Sequence, residues 1–182
     1  MIVTIARCYG SGGKEIGKLL AKTLGIKYYG KEIIEMACGD DASTDTLYGC
    51  DESFGATSFE QADEQFRKQS DVICSLAEKE SCVIVGRCAD YVLKDVDDVH
   101  RIYLYAPLRA CMRRIIRLYE LNPDDAKSLI HSMNKTRGDY YYHNTGQQWS
   151  DPTHYDLCLN TAGLEHEKCV RIIIDYLNTR RA

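Results

Sequence analysis

At 182 residues the chain is long enough for one domain with a full core, able to bury roughly 70% of the surface its unfolded form exposes. A formal net charge of −4 provides no broad basic field, which argues against nucleic acid as the main partner. Met1 leads straight into a β-prone run with no basic leader, and no run of about eighteen apolar residues follows, so the expectation is a cytoplasmic protein with no membrane span.

The first signal is Ile2-Val3-Thr4-Ile5-Ala6, a strand-forming run that feeds Cys8-Tyr9-Gly10-Ser11-Gly12-Gly13-Lys14. Beyond it Ile16, Leu19, Leu20, Thr23 and Leu24 share a helical face. A strand that enters a helix through a glycine turn aims backbone N–H groups and the positive end of the helix dipole at one point, which favours phosphate. Gly13-Lys14 match the end of the pattern G-x-x-x-x-G-K-[ST], but Cys8 replaces its first glycine and Glu15 its magnesium-binding hydroxyl. The competing reading is a glycine-rich turn that binds nothing.

Gly25 stops the first helix, Ile26 to Tyr29 forms a short strand, and a helix carries Ile33, Ile34 and Ala37. The polar stretch 39–58 reads as a mobile surface insertion. A long helix spans Phe59 to Lys79, and the apolar run Cys82 to Gly86 suits a parallel strand buried on both faces. Arg101 to Ala106 is the next strand, and Leu108 to Tyr119 an Arg-rich helix. Asn122-Pro123-Asp124-Asp125 then gives an N-cap, a first-turn proline and two first-turn acids, opening a helix that runs to about Arg137. Asp139 to Asp151 reads as a loop with three tyrosines and Trp149, rings that either stack on a base or cover one edge of the sheet. Tyr155 to Asn160 is a last strand and Glu165 to Asn178 a closing helix. The alternation predicts an α/β fold: a three-layer parallel sheet of about five strands with helices on both faces, in a single domain over 1–182. The nine cysteines contain no C-x-x-C pair and read as reduced, packed thiols; no metal ligands are assigned.

Ligands of such sheets bind beyond the carboxyl ends of the strands. Those ends supply Gly10 to Lys14, then Lys31, then Arg87 with Asp90, then Arg109. Arg87 suits bidentate phosphate binding, against the alternative of pairing with Asp90. Arg109, Arg113 and Arg117 share one helix face, with Arg114 beside them and Arg137 on the next helix; such a stripe is a solvated face unless a phosphate site lies near.

Tyr9 to Gly17, Cys82 to Asp90, and Tyr140 to Asn160 with Thr145-Gly146, Trp149 and Asp151-Pro152 together resemble the bacterial cytidylate kinase-like family. The resemblance implies a P-loop fold of the nucleoside monophosphate kinase type, with helices of 108–138 as a lid. Gly10, Ser11, Gly12, Gly13, Lys14 and Glu15 would then hold ATP phosphates, and Arg87, Asp90 and Lys31 the acceptor nucleotide. Lys14, Arg109, Arg113, Arg117 and Arg137 would act on the transferring group. The implied activity is phosphoryl transfer from Mg-ATP to a nucleoside monophosphate, a pyrimidine one, by a monomer or homodimer. Two rivals remain open: a nucleotide-binding sensor without turnover, and a kinase of another small acceptor.

Overall fold

β1 (Ile2–Arg7) is buried along its entire length and takes the central place in the sheet of the computed structural model, which describes residues 1–38 and 59–181. After it come α1 (Gly13–Leu24), β2 (Lys27–Tyr29), α2 (Glu32–Cys38), α3 (Phe59–Lys79), β3 (Cys82–Val85) and the short α4 (Ala89–Val92). The chain closes with β4 (Val99–Tyr105), α5 (Leu108–Tyr119), α6 (Pro123–Thr145), β5 (Leu157–Asn160) and α7 (His166–Arg181).

The five strands lie in the order β2-β3-β1-β4-β5, every pair parallel, with Ile5 level with Val85 on one side and Ile102 on the other. Successive strand side chains point to opposite faces, so each apolar run feeds two cores. Val3, Ile5, Val83, Ile102 and Leu104 pack under Ile16 and Leu20 of α1 and Ile173 and Leu177 of α7. On the other face Ile2, Cys82 and Ile84 meet Ile33 of α2, Ile73 and Leu76 of α3, and Leu93. The three-layer parallel architecture expected from the sequence is therefore present. The seven cysteines whose side chains are described are free thiols. Among the described residues no helix is long and apolar enough to cross a membrane.

The chain builds β2 and β3 on one side of β1, then crosses to β4 and β5 on the other. The crevice at the carboxyl end of β1 is thus the switch point where ligands of open α/β sheets bind.

One element differs from expectation. The helix that opens at Pro123 does not stop near Arg137 but continues to Thr145, capped by Gly146 at φ 69°. A glycine inside a helix costs only about 1 kcal/mol, and burial of Tyr140 and Tyr141 outweighs Gly138. Asn144 Nδ2 and Thr145 Oγ1 donate back to the carbonyls of Tyr140 and Tyr141, and Gly146 N–H donates to the Tyr142 carbonyl to close the last turn. The stretch 39–58, expected as a mobile insertion, lies outside the described residues.

Gly17 lets α1 sit directly on β3: a Cβ there would stand 2.7 Å from Val85 Cγ2. Gly17→Ala is therefore expected to destabilise the fold by about 1–3 kcal/mol, measured as a lower urea midpoint; an unchanged midpoint would show that this contact gives way freely.

Candidate active site

Where β1 ends, the chain turns back over the sheet edge. Gly10 and Gly12 adopt left-handed backbone angles, φ 83° and 84°. A side chain at Gly10 would put its Cβ 2.8 Å from Cys111 Cβ, so glycine brings the loop against α5. Tyr9 N donates to Asn134 Oδ1 at 2.7 Å and Thr161 Oγ1 donates to the Ser11 carbonyl at 2.8 Å, which fixes the loop to α6 and to the end of β5. The Ser11 hydroxyl is spent inside the loop, donating to the Cys8 carbonyl at 2.8 Å. Gly12 is the N-cap of α1 and supplies no side-chain cap, leaving the helix's amino end presented to the cleft above it.

That first cleft, about 560 Å³ including its open side, is bordered by Tyr9, Gly10, Gly12, Gly13, Lys14 and Glu15, by Arg114, Ile115, Leu118 and Tyr119 of α5, and by Arg7, Cys8 and Arg137. A second cleft of about 260 Å³ adjoins it, formed by Gly86, Arg87, Cys88 and Asp90 after β3, by Tyr140, Tyr141 and Trp149, and by Ala6, Arg7 and Arg137. Arg7 and Arg137 border both. Arg137 Nη1 donates to the Arg7 carbonyl at 3.1 Å, and its guanidinium carbon lies 5.4 Å from the centre of the Tyr9 ring.

At the second cleft Gly86, Arg87 and Cys88 are all left-handed, with φ of 82°, 63° and 53°. The left-handed region costs a residue with a side chain roughly 1–2 kcal/mol. That strain points the chain after β3 inward and holds Arg87 buried. Asp90 accepts from Tyr141 Oη at 2.7 Å. Burial pushes the Asp90 carboxyl above its ordinary 3.8, outweighing the Tyr141 bond and the pull of His154 and Arg101. The same carboxylate, together with burial, pushes the Tyr141 phenol up.

Among the described residues the buried charged side chains at this edge are Arg7, Arg87 and Arg137 against the single acid Asp90. Guanidinium groups bordering two clefts are a setting for anions.

Other expected residues lie elsewhere. Arg109, Arg113 and Arg117 are exposed, and the latter two edge an open hollow with Ala110, Arg114 and Ile116. The buried positions of α5 are Cys111 and Ile115, and Arg113 stands about 200° round the helix from Cys111, whereas Arg114 flanks the buried side. Of the α5 arginines it is Arg114 that borders the first cleft. Lys31 is exposed and pairs with Glu35 at 3.3 Å; it borders neither cleft, because β2 is the edge strand and its carboxyl end lies two strands from β1. His143 pairs with Asp63 at 2.9 Å, joining α6 to α3 away from both clefts. Of the two roles expected of the aromatic segment, the packing one is present: Trp149 packs edge-on to Tyr103, which stacks on Tyr155, and Trp149 also borders the second cleft.

Arg7 and His166 were not among the expected residues. Arg7 had a signal, a cation closing an apolar strand just before a glycine turn; His166, the first residue of α7, had none. His166 Nε2 accepts from Arg114 Nη1 at 2.8 Å, and Arg114 Nη2 lies 3.3 Å from Glu15 Oε2. An ion pair this exposed contributes about 0–1 kcal/mol.

No group of three or more His, Cys, Asp and Glu among the described residues could hold a metal alone. Magnesium carried by a nucleotide needs only one or two protein carboxylates beside phosphate and water. Glu15, the acid on the first cleft, meets that requirement.

The sequence model of the cytidylate kinase-like family matches residues 2–163. The chain belongs to the cytidylate kinase-like family. Membership makes it a nucleotide kinase by class and accounts for the glycine turn on a parallel sheet. This family member is 27% identical over 184 residues to the cytidylate kinase of Sulfurisphaera tokodaii, across 98% of this chain and 96% of that protein. An uncharacterized protein from Eubacterium ventriosum is similar in structure, with a TM-score of 0.81 at 25% identity over 98% of each chain. Shikimate kinase from Bacteroides thetaiotaomicron shares the fold, with a TM-score of 0.62 at 16% identity over 98% of each chain.

A raised Asp90 pKa favours the protonated folded state, so its contribution is fully present below the ordinary 3.8 and lost as pH rises through the folded value. In Asp90→Asn the amide oxygen can still accept from Tyr141. The variant is expected to be more stable than wild type at neutral pH, with the gap narrowing as pH falls towards 3.8, followed by chemical denaturation at a series of pH values. A gap that does not change with pH would contradict it.

Proposed function

We propose that this protein moves the γ-phosphoryl group of Mg-ATP to a nucleoside monophosphate with a pyrimidine base. The observation that carries the reading is the pair of adjoining clefts with Arg7 and Arg137 common to both. Phosphoryl transfer needs donor and acceptor in line and positive charge around the group between them; it needs no covalent nucleophile. In this reading the loop Gly10 to Lys14 and the amino end of α1 take the donor phosphates, with the Lys14 ammonium on the outer ones. Arg87 takes the acceptor phosphate, and Arg137 stands where the two meet. Glu15 would hold magnesium, which would supply positive charge against the donor phosphates.

Trp149 and the tyrosines of α6 offer faces for the acceptor base, and Asp90 a polar group for its edge. The pyrimidine assignment follows the relative from Sulfurisphaera tokodaii, which is named a cytidylate kinase. α5 and the start of α6 (108–138) act as the lid. They share an apolar cluster of Cys111, Ile115, Ala126, Ile130 and Met133 with Tyr9, so movement of the lid and of the loop is coupled.

A sensor without turnover has one observation in its favour: a carboxylate replaces the usual hydroxyl after Lys14 and reaches Arg114 beside the first cleft. ADP release from Mg-ATP, with CMP, dCMP, UMP, AMP and GMP supplied separately, decides between them. One pyrimidine monophosphate is expected to stimulate release, and Lys14→Ala to lower kcat/KM by about a hundredfold or more. ATP binding with no stimulation by any monophosphate would favour the sensor, and stimulation by a purine alone would overturn the pyrimidine assignment.

A further inference from the structure

Three groups meet over the phosphate loop: Glu15 of α1, Arg114 of α5 and His166 at the start of α7. They sit on the loop itself. A Cβ added at Gly12 would come within 3.0 Å of Arg114 Nη1 and 3.1 Å of His166 Nε2, so the guanidinium lies directly on the backbone that cradles anions. One edge of Arg114 is taken by His166, which accepts its Nη1; the other faces Glu15. Glu15 stands at the sequence position where the loop pattern places its magnesium-binding hydroxyl, and among the described residues it is the one acid bordering the cleft. His166 lies beyond the residues that the family model matches.

We propose that Glu15 is a stand-in for the nucleotide's phosphates at Arg114: when the triphosphate arrives, Arg114, seated by His166, exchanges the carboxylate for phosphate oxygens, and Glu15 turns to the divalent cation that the triphosphate carries. The inference rests on the nucleotide-binding reading of the first cleft. The exchange is favourable on charge. A half-exposed ion pair is weakly held, whereas a guanidinium on phosphate is a charge-assisted, bidentate contact next to a helix amino end that already favours anions. A carboxylate left beside a triphosphate would repel it, unless a divalent cation lies between them. One carboxylate thereby fills the apo site and, once displaced, becomes the protein ligand that the missing hydroxyl would have been. His166 is a positioning residue: its Nε2, as an acceptor, holds the guanidinium plane over Gly12 whichever anion the other edge meets.

The test is calorimetric titration of the full chain with ATP, once with magnesium and once with EDTA. In EDTA, Glu15→Gln is expected to bind ATP about two- to fivefold more tightly than wild type, because nothing competes for Arg114 or repels the phosphates. With magnesium the order reverses, so the gain in affinity that the cation confers shrinks about tenfold in the variant. Arg114→Met weakens binding in both conditions and shrinks the EDTA advantage of Glu15→Gln when the two are combined. His166→Ala follows Arg114→Met part of the way, and His166→Gln, which keeps an uncharged acceptor, restores wild-type affinity. Tight ATP binding by wild type with the same magnesium gain in Glu15→Gln would overturn the exchange while leaving the nucleotide reading intact. No ATP binding by wild type in either condition would overturn both.

Discussion

The hydrogen bond from the buried Arg137 guanidinium to the Arg7 carbonyl is the contact on which the two clefts depend. It spans 130 positions of sequence and ties α6 to the last residue of the central strand. Removing an arginine from water costs several kcal/mol, so a buried one is kept only where dipoles or opposite charges answer it. Here the end of a strand answers part of it, and the ring of Tyr9 another part. Because Arg137 also borders both clefts, the bond that docks α6 fixes the glycine loop and Arg87 relative to one another. Packing and chemistry thus share one side chain.

The rest of the edge is arranged around that geometry by close approach. Gly10 admits Cys111, Gly12 admits Arg114 and His166, and the stem of Arg7 lies against Gly13, where a Cβ would meet it at 2.6 Å. A loop held this tightly has little freedom to lose on binding a ligand, which is the entropic benefit of preorganisation. At the second cleft the same end is reached through three left-handed residues that turn Arg87 inward, and by the Tyr141–Asp90 bond that joins α6 to the turn after β3.

Much of this was legible in the sequence where the signal is local. The change from a β-prone run to a helical period across Gly10 to Gly13 marks the loop. Asn122-Pro123 marks the start of α6, where the Asn122 side chain accepts from Asp125 N as an N-cap should. The illegible part depends on strand order and on helix facing. Lys31 comes after a strand as Lys14 does, but spacing cannot reveal that β2 lies at the edge. A stripe of arginines four apart identifies a face of α5 without saying which face meets the cleft, and the answer, Arg114, is set by Cys111 and Ile115 seeking the core. The Arg114–His166 contact joins residues 52 apart with no pattern between them. α6 runs on past Arg137 because burial of Tyr140 and Tyr141 carries the helix through the stretch expected as a loop, a tertiary effect that local sequence does not show.

If the two clefts form one reaction site, donor and acceptor phosphates meet at Arg137. The most direct measurement is calorimetric binding of a bisubstrate analogue, adenosine and cytidine joined through five phosphates, compared with ATP and CMP separately, on wild type and on Arg137→Met. Joining two ligands that occupy adjoining sites raises affinity by about a hundredfold or more over either alone. The account predicts that gain at a stoichiometry of one, and its loss in Arg137→Met. An analogue that binds wild type no more tightly than ATP would contradict it.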